Sequence, residues 1–389
     1  MRPEAAGSTI DRMHPELHRI VERVRAATAD ATPLHIRGGG TKDFYGNAAH
    51  AAHAVSAEAP LDTRPLAGIV AYEPSELVVT VHAGTPLAEL EAMLAEKGQC
   101  LPFEPPHFDA DGDASATVGG MVAAGLSGPA RASVGAVRDY VLGATLVDGR
   151  GQVLGFGGQV MKNVAGYDVS RVLAGSLGTL GVIAEVSLKV LPAAPAEATL
   201  RFECTQGDAL DLLNGWGGRP LPLNASCWVV EEVGRAVGAL YLRLRGAVAA
   251  VEAACGQLGG QVQPDAANDW TQCREQQLPW FIDGAASGGL DLWRVSVPQT
   301  APVLAVDGTP LIEWHGGQRW YFARPEEGAR IRAAAGAVGG HATLFRMADV
   351  AGAPSIPRFT PLPPTLERIH RALQREFDPA GIFNRGRLL

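Results

Sequence analysis

The stretch HIRGGGTKDFYG (35–46) sets the tightest limit on what this chain can build. Three consecutive glycines after a short apolar run put backbone where side chains do not fit, at a high entropic cost. Three more glycine-dense sites follow in the first half: TVGGMVAAGLSGP (117–129), SVGAVRDY (133–140) and GSLGTLGVI (175–183). Successive backbone N–H groups without Cβ atoms form a concave nest that takes anionic oxygens. Two such loops facing each other, with Arg37 or Lys42 offsetting the charge, suit a diphosphate. Two familiar phosphate motifs fail the test. A Walker loop needs its lysine directly after the last glycine, and Thr41 stands between them here; a dinucleotide fingerprint needs glycine where Asp43 stands.

The segments around these loops alternate strand and helix signals. LHIR (34–37), IVAYEP (69–74) and LVVTVHAG (77–84) read as short strands rich in β-branched residues. Next comes a helix with Thr85 as N-cap, Pro86 at its first position, Leu87, Leu90 and Leu94 on one face, and Gly98 as its stop. YVLGATLVDGRGQVLGF (140–156) reads as two strands around Asp148-Gly149. Val182, Ala184, Val186, Leu188 and Val190 alternate with Glu185, Ser187 and Lys189, the pattern of a half-buried strand stopped by Pro192. Leu17, Ile20, Val21 and Val24 mark an amphipathic helix near the N-terminus. After residue 192 the texture changes. Five of the seven tryptophans fall between 210 and 300, and strands alternate with helices in what reads as a second α+β unit. A last helix runs from about Leu366 to Phe377, followed by an irregular tail.

Composition excludes several classes. A net charge of −8 without a basic block speaks against a nucleic-acid surface. The five cysteines are dispersed with no CxxC pair, so neither a disulfide framework nor a zinc or iron–sulfur site is expected, and no metal site is predicted. No apolar run approaches the roughly 18 residues of a membrane span. The expectation is a cytoplasmic protein.

The order RGGGTK, VTVHAGTPLAELEAMLAEKGQCLPFEPP, TVGGMVAAGLSGPARASVGAVRDYVLGATLVDGRG and KNVAGYDVSRVLAGSLGTLGVIAEVSLKVLP resembles the vanillyl-alcohol-oxidase/PCMH type of FAD-binding domain over about residues 30–192. FDPAGIFNRGR near the C-terminus resembles that family's closing segment. RGGGTKDFYG, VMKNVAGYDVSR, QRWYF and GGHATLFR extend the likeness, over nearly the whole chain, to the FAD-binding subunits of bacterial glycolate oxidases. The resemblance implies an α+β fold: a two-lobed PCMH-type FAD-binding domain (1–192), an α+β cap for substrate or subunit contact (193–362), and a C-terminal segment (363–389) that packs back on the FAD domain. It implies a first diphosphate loop of Arg37, Gly38, Gly39, Gly40, Thr41 and Lys42, and a second of Thr117, Val118, Gly119 and Gly120. Ser127, Gly128, Gly135, Arg138 and Asp139 would line the rest of the dinucleotide, and Gly178, Thr179, Gly181 and Val182 would bring backbone against the flavin ring. Some relatives attach flavin through a histidine beside the glycine loop; here Arg37 and Thr41 end that loop, so FAD is expected to be non-covalent.

Oxidising a 2-hydroxy acid takes a cation for the carboxylate and a base for the hydroxyl proton. His341 and Arg346 are the catalytic candidates, with His315 and Arg319 behind them. Catalytic relatives usually read G-S-E-G-T-L-G where this chain has Leu177 in GSLGTLG, and their cap domains carry a His-rich metal signature absent here. The leading expectation is a FAD-binding subunit of a complex that oxidises glycolate to glyoxylate. Its partners would be a second FAD-containing subunit and an iron–sulfur subunit, and any membrane association, at the inner face of the cell membrane, would run through that complex. A self-sufficient D-lactate-type dehydrogenase and a structural subunit that has lost its flavin are the alternatives.

Overall fold

The apolar period near the N-terminus produces helix α1 (Pro15–Ala29), with Ile20, Val21 and Val24 buried. The computed structural model describes residues 14–47, 59–109, 115–158, 168–232, 234–348 and 356–389; residues 159–167, which carry part of the family resemblance, fall outside them. α1 packs over a parallel pair, β1 (Ile36–Arg37) and β2 (Leu61–Asp62), and shares its cluster with Ile382 and Phe383 from the far end of the chain. The returning segment is tied in by backbone: Leu34 N–H donates to Ile382 O, and Asn384 N–H donates to Leu34 O.

Beside this small lobe stands a five-stranded antiparallel sheet. Its order is β3 (Ile69–Glu73), β4 (Val78–His82), β8 (Val182–Lys189), β6 (Val141–Val147), β7 (Val153–Gly157). β8 is central and buried on both faces, more completely than its alternation suggests. Val182 and Ala184 meet the α1 cluster, while Ile183, Val186 and Leu188 meet helices α2 (Leu87–Glu96) and α3 (Val118–Ala124). A short pair, β5 (Gln99–Cys100) with β9 (Leu191–Pro192), closes the edge.

Two local expectations change. Pro86, not Thr85, occupies the N-cap of α2. The Thr85 hydroxyl is spent on the preceding turn, donating to His82 O at 2.7 Å and accepting from Gly68 N–H at 3.0 Å. The Asp148 turn is wider than a two-residue hairpin because Asp148 Oδ1 accepts from both Arg150 N–H and Gln152 N–H, at 2.9 and 2.8 Å.

Residues 196–346 form an eight-stranded antiparallel sheet. Its order is β13 (Gln261–Gln263), β10 (Ala196–Cys204), β12 (Gly238–Gly246), β11 (Leu223–Val229), β15 (Leu311–Glu313), β16 (Gln318–Ala323), β14 (Asp291–Ser296), β17 (His341–Arg346). The short helix α4 (Arg131–Val134) of the first unit touches it. The outer face is covered by α5 (Gln206–Gly217), α6 (Val248–Leu258) and, later in the chain, α9 (Gly328–Ala337). The inner face carries α7 (Ala267–Glu275) and α8 (Pro279–Ala286) and meets the first unit in one apolar seam of Tyr45, Leu126, Leu177, Trp320 and Phe345. The final helix, α10 (Pro364–Phe377), has an inverted habit. Leu366, Ile369 and Leu373, one stripe at helical spacing, are 47%, 54% and 36% exposed.

A buried charge cluster locks the two units. The Glu104 carboxylate accepts from Arg243 Nη2 at 2.6 Å, from Arg245 Nη1 at 3.0 Å and from Ala130 N–H at 3.1 Å. Arg243 is 2% exposed, so removing its acid strands a cation away from water. Glu104→Ala is expected to lower stability by about 3 kcal/mol, read as a fall in the urea midpoint, with Glu104→Gln in between.

Candidate functional site

The triple-glycine loop leaves β1 under unusually tight guidance. Ile36 N–H donates to Asn384 Oδ1 at 2.9 Å, and Asn384 Nδ2 donates to Leu177 O at 2.7 Å, so one buried amide joins the first and last glycine sites. Arg387 holds the far side of the loop by donating to Lys42 O at 3.0 Å and to Tyr45 O at 3.3 Å. Gly40 has φ +80°, and a Cβ on Gly39 would stand 1.5 Å from Ser115 O. Only glycine allows that approach.

Held this way, the N–H groups of Gly38, Gly39, Gly40, Thr41 and Lys42 have no acceptor among the described residues. Half-buried backbone donors are normally paired, so five in succession mark a place for an anion. The loop borders two hollows. One, of about 80 Å³, also touches Thr117, Gly119, Gly178 and Gly181. The other, of about 410 Å³, lies between Gly39, Gly40, Thr41 and the second unit's Glu275 and Arg346.

Two cations stand here without an ion-pair partner among the described residues. Lys42 is buried, donating to His107 O and to Thr41 Oγ1, both at 3.1 Å. Burial pushes its pKa down to about 8, against the opposing pull of Glu275 and Asp109. The Arg346 guanidinium lies 3.7 Å from the centre of the Phe44 ring, and burial lowers its pKa to about 10. Donors, cations and loop geometry together fit a diphosphate.

The other expected site residues divide. The second glycine loop borders the small hollow, but its amides are already used: Val118 N–H donates to Thr85 O, Gly119 N–H to Ala83 O and Gly120 N–H to Thr117 Oγ1. It is a wall rather than a second nest, because the start of α3 is stitched to the end of β4. Ser127 and Gly128 border a narrow gap of about 20 Å³ facing Arg294 and Gln318, outside both hollows. Gly135, Arg138 and Asp139 border neither hollow. Gly135 turns the chain at φ +99°, Asp139 accepts from Ala136 N–H, and the Arg138 side chain is 68% exposed beside Asp139. Thr179 donates to Ser176 O and Val182 lies in the core, so of the four residues expected here Gly178 and Gly181 border the small hollow, beside Leu177 and Ile183.

The catalytic pair does not assemble. His341 and Arg346 sit at opposite ends of β17, five residues or roughly 16 Å apart at strand rise. His341 pairs with Ser296, and its pKa is lowered by burial and by the nearby charges of Arg294 and Arg131. It borders neither hollow. His315 joins the units through Ser226 and Ser133, and burial pushes its pKa down to about 4. Arg319 donates to the carbonyls of Gly316, Ala301 and Pro302, a structural role. Sequence reasoning missed Asn384 and Arg387. Their signal was present in FNRGR, but their partners lie far away along the chain.

Comparison with known proteins agrees with this geometry. A model of the FAD binding domain matches residues 16–157. The glycolate oxidase subunit GlcE of Escherichia coli K12 is 43% identical over 370 residues, covering 95% of this chain and 96% of that one. The chain belongs to the GlcE family of FAD-binding proteins. The glycolate oxidase subunit GlcD of Bacillus subtilis is 33% identical over 132 residues, 34% of this chain and 27% of its own length. An alkyldihydroxyacetonephosphate synthase structure superposes with a TM-score of 0.61 at 16% identity, covering 94% of this chain and 74% of that one, and shares the fold. The cofactor of this family of domains is FAD, and the amides of the glycine loop, without acceptors among the described residues, are of the kind that would suit its diphosphate.

Asn384→Ala is expected to cut FAD retention at least tenfold while the second unit stays folded, measured as flavin lost on gel filtration. Lys42 carries its charge only below about pH 8, so FAD affinity should hold steady up to neutrality and weaken as pH rises past 8. Lys42→Met should bind more weakly and remove that slope; flavin fluorescence on dilution at each pH reads both.

Proposed function

We propose that this chain is the non-covalent FAD-binding subunit of a complex that oxidises glycolate. The observation that carries the reading is the run of five unpaired amides from Gly38 to Lys42, set between Lys42 and Arg346. Bound FAD supplies the hydride acceptor for the α-carbon of a 2-hydroxy acid. The chain's own residues do the rest. The glycine amides and Lys42 neutralise the diphosphate. Arg346, reaching the larger hollow from the second unit, is the cation for the substrate carboxylate, held flat by Phe44.

The proton-accepting side is thin. The acids at the larger hollow are committed: Glu275 accepts from the amides of His107 and Phe108, and Asp109 accepts from Ser115. No imidazole borders that hollow among the described residues. Leu177, where catalytic relatives carry an acid, is buried in the apolar seam. These features favour a subunit that works with partners over a self-sufficient dehydrogenase.

Electrons must then leave the chain. Its five cysteines are free thiols, and no metal-binding group of side chains occurs among the described residues. We therefore assign the onward step to a second flavin subunit and an iron–sulfur subunit, with the outward stripe of α10 as the contact face. No described helix is long and apolar enough to cross a membrane, so membrane contact would run through those partners.

The purified chain is expected to be yellow, with acid releasing all its flavin as FAD; flavin left on the denatured protein band would contradict non-covalent binding. Glycolate and D-lactate should be oxidised slowly by the chain alone and rapidly once partners are co-expressed. Fast turnover by the lone chain would favour a self-sufficient dehydrogenase, and a colourless preparation a structural subunit. Ile369→Glu should leave FAD bound but abolish co-purification of partners.

A further inference from the structure

A cavity of about 720 Å³ lies wholly within the second unit, on the inner face of the eight-stranded sheet beneath α7 and α8. No residue of the glycine loops borders it, so it is separate from both hollows. Its size is that of a small-molecule site, and its chemistry is one-sided. The walls are the rings of Tyr241, Trp270, Trp280 and Phe322. Its acids are Glu231, Asp269 and Asp283, and no lysine, arginine or histidine lines it among the described residues.

The walls are held in place. Trp270 Nε1 donates to Thr199 Oγ1 at 2.9 Å, and the Arg243 guanidinium stands 4.9 Å from its ring. Trp280 packs on Phe281 and Phe322 at 5.1 and 5.0 Å between ring centres. Glu231 is already engaged by Arg201 at 2.8 Å and by the Tyr241 hydroxyl. Asp269 and Asp283 have no ion-pair partner among the described residues.

These carboxylates repel a hydroxy acid or a phosphate, which excludes the substrate and cofactor assigned above. Rigid aromatic faces beside unpaired acids attract a flat, positively charged molecule, through stacking and through the ring quadrupole. We propose that this cavity is a second binding site, taking a planar aromatic cation. Its occupant would lie close to the junction of the units, since Cys273 borders both this cavity and the gap at Ser127 and Gly128. The inference does not depend on the assignment of FAD to the glycine loop.

The test is calorimetric titration of the full, FAD-loaded chain with proflavine, a planar cation, and with 8-anilinonaphthalene-1-sulfonate, an aromatic anion. Proflavine is expected to bind one saturable site with micromolar affinity, and the anion to show none. The double variant Asp269→Asn/Asp283→Asn should weaken proflavine at least tenfold, and Trp280→Ala likewise, with FAD content and thermal midpoint of the double variant unchanged. Absence of saturable proflavine binding would overturn the proposal. So would equal binding of the anion, or an affinity that the acidic double variant leaves unmoved.

Discussion

The side-chain amide of Asn384 is the constraint on which the candidate site depends. Its oxygen accepts from the strand that enters the triple-glycine loop, and its nitrogen donates to the turn before Gly178. Asn384 is 1% exposed, so neither bond has water as a substitute. Without that bridge, the two turns bordering the small hollow would have no fixed spacing. With it, the five amides from Gly38 to Lys42 stand side by side with no acceptor among the described residues.

The second unit completes the site through its placement. An apolar seam brings the sheets together, and Glu104 fixes their registry by gathering Arg243, Arg245 and the Ala130 amide on one carboxylate. Burying ions costs free energy that only close pairing offsets, so such a cluster favours one relative orientation over its neighbours. That orientation carries the end of β17, and Arg346 with it, to the glycine loop.

Much of this was legible in the residues. The triple glycine, the strands flanking it and α1 announced themselves through period and composition, while the return of the C-terminal segment was implied only by the family resemblance of FDPAGIFNRGR. What escaped was anything decided by distant partners. The amides of Val118, Gly119 and Gly120 looked as available as those of the first loop. Only the fold shows that Thr85, Ala83 and Thr117 have already taken them. His341 and Arg346 are close in sequence, yet an extended strand sets them at opposite ends, and no motif reveals which end meets the cofactor loop. Thr85 had the chemistry of a helix cap but used its hydroxyl on the turn before.

The contact between Ile36 and Asn384 spans 348 positions of sequence. A loop closure of that length carries an entropic cost that local elements never meet, and contacts so remote form slowly, after the sheets they bridge. Two sheets, a seam and a charge cluster can assemble while the glycine loop is still unpinned. A ligand captured at the glycine loop would therefore report that both ends of the molecule have met.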